Sequence, residues 1–385
     1  MDFSHILTEP YILTLTILMA ASLIILCIYY AIFHFRVGRY KGPKKKNTAP
    51  ATSSPCPPVS VVLTAQNDAE WLKTNLVYLL EQDYPDFEVV VVDYLSTDET
   101  QYILRLLAQN YSRLKVVTLT NNANGYQGLK YPFSIGIKTA QNDILLLAEP
   151  ECIPMDTTQF NWIRSMVSGY VHDHIDIVLG YCGIAYKPSL FNWLQQYDNL
   201  LYSVEYLGSA ILRAPFTGNG RNLSYRRSLF LKNDGFIYHY NIPDGADDMF
   251  VNQNARPRNT AVVLSPESFT LVQPQPTLRQ WHLYRRHRVS THSFYSLPLK
   301  LRRLLPPLGI LLFYLFGALL LALAALPWQI LAAALALKLA WQIVATAAAA
   351  RRLAVKPVVY ILSPLFEIYF LIANTFLSLF PLPKK

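Results

Sequence analysis

The chain has 385 residues, too many for one compact domain and too few for three. Hydrophobic residues make up 52% and charged residues 15%, which excludes a wholly soluble protein of ordinary composition and points to membrane segments. The net charge of +9 does not indicate a nucleic-acid partner. That reading needs a basic face interleaved with aromatics on a soluble domain, and the Lys and Arg gather instead beside the apolar runs.

Taken in chain order, residues 1–10 read as an extracytoplasmic N-terminus. Tyr11 to Phe33 follows as an apolar run long enough to cross ~30 Å of hydrocarbon as a helix. It is too long for a signal-peptide core and no small-residue cleavage site follows, so it is expected to be a retained span (11–33). Residues 34–57 form a basic, Pro-rich linker carrying Arg36, Arg39, Lys41, Lys44, Lys45 and Lys46.

From Val59 the pattern alternates. Val59 to Thr64 is a continuous apolar run, as in a parallel strand buried on both faces. Glu70 to Gln82 is helical, with Leu72, Leu76, Leu79 and Leu80 on one face. Phe87 to Val92 is a strand, Glu99 to Gln109 a helix, Leu114 to Leu119 a strand, Tyr131 to Thr139 a short helix and Ile144 to Leu147 a fourth strand. This alternation predicts an α/β fold with a doubly wound parallel sheet. Ligands bind such sheets at the carboxyl ends of the strands. One rim therefore gathers Thr64 to Asp68, Asp93 to Asp98, and Glu149-Pro150-Glu151.

Further along, Pro306 to Leu326, Trp328 to Ala348 and Val358 to about Phe380 are apolar. They are expected as spans at 305–327 and 328–350 and a spanning or interfacial helix at 357–381, with Glu367 inside the last. Basic groups precede the second run (Lys300, Arg302, Arg303) and separate the third from the fourth (Arg351, Arg352, Lys356). All become cytoplasmic at once if the middle region, 58–304, is cytoplasmic, which makes the chain an integral protein of the plasma or inner membrane. Residues 278–304 form a basic, interfacial stretch at the end of that region. Cys27, Cys56, Cys152 and Cys182 lack metal-ligand or Cys-x-x-Cys spacing and fit free thiols in a reducing compartment.

The chemistry-bearing residues lie on this rim and beyond it: Asp93 and Asp98, the two glutamates, a Gly218-Asn219-Gly220 turn, the acids of Asp244 to Asp248, and Arg285, Arg286 and Arg288. Carboxylates for a metal, one left to act as base, and arginines near phosphate suit group transfer from a nucleotide-activated donor.

Gln66-Asn67-Asp68-Ala69-Glu70 after the first strand, and Val91-Val92-Asp93-Tyr94-Leu95-Ser96-Thr97-Asp98 after the second, resemble the opening of the family 2 glycosyltransferases. The resemblance covers roughly Pro58 to Phe294, and the flanking spans resemble the membrane-bound branch of that family. It implies the GT-A (nucleotide-diphospho-sugar transferase) fold, a doubly wound mixed sheet flanked by transmembrane helices. It also implies inverting transfer of a sugar from a nucleotide donor, UDP by expectation, to a lipid-linked or glycan acceptor. Thr64, Gln66, Asp68, Asp93, Ser96, Lys130 (in Gly128-Leu129-Lys130) and Glu149 take the donor-binding positions. Ala148-Glu149-Pro150-Glu151-Cys152-Ile153-Pro154 stands where the family has Asp-x-Asp, the motif that holds Mg²⁺ or Mn²⁺, with Glu151 as the direct ligand and Glu149 beside it. Each glutamate adds a methylene to the family's aspartate, and Mg²⁺ is the less forgiving of the two ions.

Gly218-Asn219-Gly220-Arg221-Asn222-Leu223-Ser224-Tyr225 resembles the family's G-x-G-x-N-L-x-Y, so Gly218, Gly220, Arg221 and Asn222 are expected near acceptor and diphosphate. Asp244-Gly245-Ala246-Asp247-Asp248 resembles the acidic motif that carries the general base, leaving Asp247 for that role and Asp248 as second choice. Either also suits the N-cap of the helix that follows. Trp281-His282-Leu283-Tyr284-Arg285-Arg286-His287-Arg288 stands at the family's Gln-x-x-Arg-Trp, which assigns Trp281, Arg285 and Arg288 to acceptor and diphosphate. Tyr284 replaces the glutamine, and the arginine falls on His287 or, one residue on, Arg288. Two alternatives stay open on sequence: a processive polysaccharide synthase, and a catalytically weak scaffold subunit.

Overall fold

The computed structural model describes residues 10–43, 56–121, 128–242 and 244–379. The expected extracytoplasmic residues 1–9, half of the basic linker (44–55) and Lys384-Lys385 lie outside them. Two compact units form, one up to Arg39 and from Phe294, the other Tyr40–Ser293.

In the first unit, helix α1 (Pro10–Gly38) opens the chain. The second unit begins with β1 (Val59–Ala65), α2 (Ala69–Leu80), β2 (Phe87–Tyr94), α3 (Thr100–Asn110), β3 (Leu114–Leu119), α4 (Lys130–Thr139) and β4 (Ile144–Leu147). Every residue of β1, β2 and β4 is buried, as continuous apolar runs between two helical layers require. The short strands β5 (Ile153–Pro154), β6 (Ile177–Leu179) and β7 (Cys182–Ile184) lead to the long helix α5 (Leu190–Ile211). Then come β8 (Leu223–Arg226), α6 (Asp248–Asn254), β9 (Thr260–Val262), β10 (Thr270–Val272) and α7 (Leu278–Ser290).

The main sheet runs β3-β2-β1-β4-β8-β6-β9, and a smaller one runs β5-β10-β7. β1 to β4 are parallel, in agreement with the alternation, but β8 is antiparallel to both neighbours, so the sheet is mixed. Strand order reverses beside β1, with β2 on one side and β4 on the other, and the crevice opens at these carboxyl ends.

The β4–β8 register positions the site. Leu147 pairs with Leu223. Continuing that antiparallel ladder by two residues each way brings Glu149 opposite Arg221.

The remaining helices return to the first unit: α8 (Leu297–Ala322), α9 (Trp328–Arg352), α10 (Pro357–Ile361) and α11 (Ser363–Leu379). α1, α8 and α9 are long and apolar enough to cross a membrane. α8 starts at Leu297, earlier than the expected 305, and carries Pro306 and Pro307 inside it. The fourth apolar run is not one helix. It breaks at Leu362, where Pro364 has no N–H to give to the carbonyl of Tyr360. Lys338 of α9 forms a buried ion pair with Glu367 of α11, and Glu367 also accepts from Tyr30 of α1 at 3.0 Å and Tyr314 of α8 at 3.3 Å. One buried charge pair thus ties α1, α8, α9 and α11 together.

Candidate active site

A cavity of about 270 Å³ opens in the second unit, lined in part by Leu129, Phe133, Glu149, Gly220, Arg221, Asp244, Asp247, Asp248, Tyr284, His287 and Arg288. Three stretches far apart in sequence meet here: the turn after β4, the one-turn 3₁₀ helix Gly220–Asn222 before β8, and the acidic loop before α6.

The acidic loop is fixed by its own hydrogen bonds. Asp247 is the N-cap of α6, its carboxylate accepting the N–H of Asp248 at 2.8 Å and that of Gly220 at 2.7 Å. A Cβ on Gly220 would lie 3.1 Å from that carboxylate oxygen, so glycine is what lets the backbone come this close. Burial, and next the neighbouring Asp248, push the Asp247 carboxyl up to about 6 despite the two N–H donors. An acid so placed is half ionised just below neutral pH, suiting it to take a proton there. Asp248 accepts the hydroxyl of Thr291.

On the same 3₁₀ turn, the Arg221 guanidinium lies between the two glutamates. Nε donates to Glu149 at 2.6 Å and Nη2 to Glu151, while Nη1 donates to the Tyr284 hydroxyl at 3.2 Å. The guanidinium carbon stands 4.8 Å from the centre of the Tyr284 ring. Tyr284 therefore does not mimic the glutamine it replaces but supports Arg221. Its hydroxyl is pushed up, chiefly by burial.

The residues do not fit a divalent metal in this arrangement. Two acids would suffice in number, since Mg²⁺ is often held by one or two carboxylates plus phosphate oxygens. What decides is the guanidinium already bonded to both. The Arg221 side chain is 12% exposed, and a metal taking both acids would leave its charge without counter-ions, a cost on the order of 3 kcal/mol. That cost is moderated because Glu149 is 41% exposed. No group of three or more His, Cys, Asp or Glu able to hold a metal occurs among the described residues.

The sheet carries the donor-side residues to the ends of β1 and β2. Asp93 is fully buried, and neither carboxylate oxygen has a hydrogen-bond partner among the described residues. A buried acid left this way is expensive unless a ligand meets it. Thr64 is buried at the end of β1. Asp68 accepts the N–H of Gln66 at 2.8 Å, and Ser96 Oγ accepts that of Asn67 at 3.0 Å, so these residues stitch the two loops together. Leu95, next to Ser96, holds a left-handed φ of 56°, a strained position for leucine.

Four residues expected at the site are placed elsewhere. Lys130 is buried and donates to the carbonyls of His239 and Ile242, both at 2.6 Å, so its amine braces the acidic loop from behind. Burial pulls this amine down to about 8. Asn222 points into the core, bonded to Trp162, Tyr181 and Ser268. Trp281 is packed inside against Phe191. Gly218 packs among Val251, Leu179 and Leu223 and does not line the cavity.

Asp198 on α5 was not legible as a site residue. It forms an ion pair with Arg285 at 3.2 Å and accepts a hydrogen bond from Arg288 at 2.7 Å, holding Arg288 at the cavity beside Tyr202 and Tyr284. A lone Asp in an amphipathic helix carries no sequence signal for such a partner.

Residues 60–232 match the family model "Glycosyl transferase family 2". The chain carries a family 2 glycosyltransferase domain. Among curated proteins, the glycosyltransferase AglE of Haloferax volcanii is 28% identical over 149 residues, 38% of this chain and 46% of AglE. The poly(ribitol-phosphate) β-N-acetylglucosaminyltransferase TarS of Staphylococcus aureus is 26% identical over 216 residues, 54% of this chain and 34% of TarS. The matched stretches thus span less than half the length of either relative. Among solved structures, mannosyltransferase PcManGT of Pyrobaculum calidifontis, in complex with GDP-Man and Mn²⁺, superposes with a TM-score of 0.57 at 21% identity. The superposition covers 95% of this chain and 98% of that one, which shows a shared GT-A fold. In the second unit, Glu149, the Asn219–Arg221 turn and the acidic loop line one cavity.

Proposed function

We infer that the chain is an inverting glycosyltransferase that moves a sugar from a nucleoside-diphosphate donor, UDP by preference, onto a hydroxyl of a lipid-linked or glycan acceptor. The observation that carries this reading is Asp247. It is half-buried, shifted to about 6 and aimed at the cavity by the Gly220 N–H, one residue from the arginine that engages Glu149 and Glu151. Asp247 takes the acceptor proton as the oxygen attacks the anomeric carbon from the face opposite the diphosphate, the in-line path that inverts configuration. The departing diphosphate lies at the Arg221 and Arg288 end of the cavity, where positive charge meets the charge that develops. The unsatisfied Asp93 supports a nucleotide contact at the end of β2. Tyr284, Asp198 and Lys130 touch no reacting atom in this reading and act by positioning.

The Mg²⁺ or Mn²⁺ expected on Glu149 and Glu151 has no step here, because both acids are held by Arg221. The basic groups flanking the apolar helices support a cytoplasmic catalytic unit acting at the membrane face.

The test is donor turnover by the detergent-purified full chain against UDP- and GDP-sugars, with the anomeric configuration of the product read by NMR. Nucleotide release with inversion, reduced at least about a hundredfold by Asp247→Asn, supports the reading. Retention of configuration, or undiminished turnover in Asp247→Asn, overturns it.

A further inference from the structure

The carboxylate pair after β4 departs from the family pattern in two ways that fit one another. Each acid is a glutamate, one methylene longer, and a guanidinium fills the place between them. Octahedral Mg²⁺ gains nothing from the longer arms, whereas an arginine gripped from two sides does. Arg221 is delivered by register, as the residue opposite Glu149 in the extension of the β4–β8 ladder, and its backbone is pinned on both sides. Its N–H donates to Asn219 at 3.2 Å and its carbonyl accepts from Thr270 at 3.0 Å. Three of the five guanidinium N–H groups go to Glu149, Glu151 and Tyr284. Two, one on each terminal nitrogen, are left for phosphate oxygens. Glu149 and Glu151 thus pair with Arg221, while Asp198 pairs with Arg285 and Arg288.

We propose that the Arg221 guanidinium, held by Glu149 and Glu151 and backed by Tyr284, serves as the cation for the donor diphosphate in place of a divalent metal ion. This rests on the transferase reading above and deepens it. As the glycosidic C–O bond breaks, its electron pair goes to the β-phosphate oxygen, and the two remaining N–H groups of Arg221 meet that charge. The acceptor oxygen forms the new bond and its proton passes to Asp247. Glu149 and Glu151 orient the guanidinium and touch no reacting atom.

The test uses the full chain in detergent, stripped of metal. UDP and GDP binding are measured by calorimetry in EDTA and in Mn²⁺, and Mn²⁺ binding without nucleotide is measured by electron paramagnetic resonance. The expected result is nucleotide affinity within about twofold in the two buffers and no Mn²⁺ bound at the carboxylate pair. Arg221→Met should lose about tenfold or more in nucleotide affinity in EDTA, and should gain Mn²⁺ binding as the two acids are freed. Nucleotide binding by the unaltered chain that vanishes in EDTA and returns with Mn²⁺ overturns the proposal while leaving the transferase reading intact. Absence of UDP and GDP binding in both buffers overturns the transferase reading, and this proposal with it. The arms on the unaltered chain stand even if Arg221→Met does not fold.

Discussion

Gly220 donates its backbone N–H to the carboxylate of Asp247 at 2.7 Å, at a spot where a Cβ would stand 3.1 Å from the same oxygen. The proposed general base is therefore aimed by a residue whose only qualification is having no side chain. Gly220→Ala should push that carboxylate aside by a few tenths of an ångström. Turnover should fall about tenfold, short of the ~100-fold expected for a 1 Å misplacement, with UDP affinity almost unchanged. Comparing kcat with the calorimetric Kd checks this, and an equal loss in both would assign the glycine to donor binding.

Turnover should also carry an acid limb. The proposed base works only when ionised, so kcat should rise about tenfold per pH unit below pH 6 and level off above 7. The apparent value belongs to the Asp247–Asp248 pair. Burial is the first cause of the upward shift and the Asp248 charge the second, so Asp248→Asn should move the limb to lower pH without returning it to the ordinary aspartate range. A pH–rate profile of both proteins decides it.

Lys130 gives the clearest contrast between family resemblance and observed contacts. If it braces the acidic loop, Lys130→Met leaves the carbonyls of His239 and Ile242 without their donor and costs about 1–3 kcal/mol. Thermal unfolding should report the loss, and UDP affinity should stay within about twofold. Weakened UDP binding at unchanged stability would restore the direct donor contact.

Asp198→Asn removes the charge that holds Arg285 and Arg288. With both partners and the acid nearly buried, the loss is expected near 3 kcal/mol. KM for the donor should rise more than kcat falls, because Arg288 loses its station at the cavity. Steady-state kinetics with calorimetry of unfolding would separate the two effects.

In the first unit, Lys338→Met strands Glu367, and Glu367→Gln strands Lys338. Each single change should lower the unfolding temperature in detergent. The double variant should recover much of the loss, since breaking one partner of a buried pair costs more than replacing both. Additive losses would mean the pair contributes nothing as a pair.

The parallel half of the sheet was legible because strands buried on both faces are mostly apolar, as the Val, Leu and Phe of Val59–Ala65 and Phe87–Tyr94 show. The short, separated strands of the second half have no such period. Nothing in Leu223–Arg226 announces that it will lie antiparallel between β4 and β6. Trp281 and Asn222 were placed at the acceptor by motif position, but an aromatic and an amide serve a core as readily as a site, and here they do.

The sequence by itself determined the alternation of elements, the rim on which the acids gather, and the long apolar helices, because these follow from local hydrophobic period and strand-end geometry. Only the tertiary structure decided what each charge faces. Pairing Leu147 with Leu223 across an antiparallel ladder set Arg221 against Glu149, and α5 set Asp198 against Arg288. Those choices depend on register and packing between segments tens of residues apart, which no local pattern encodes.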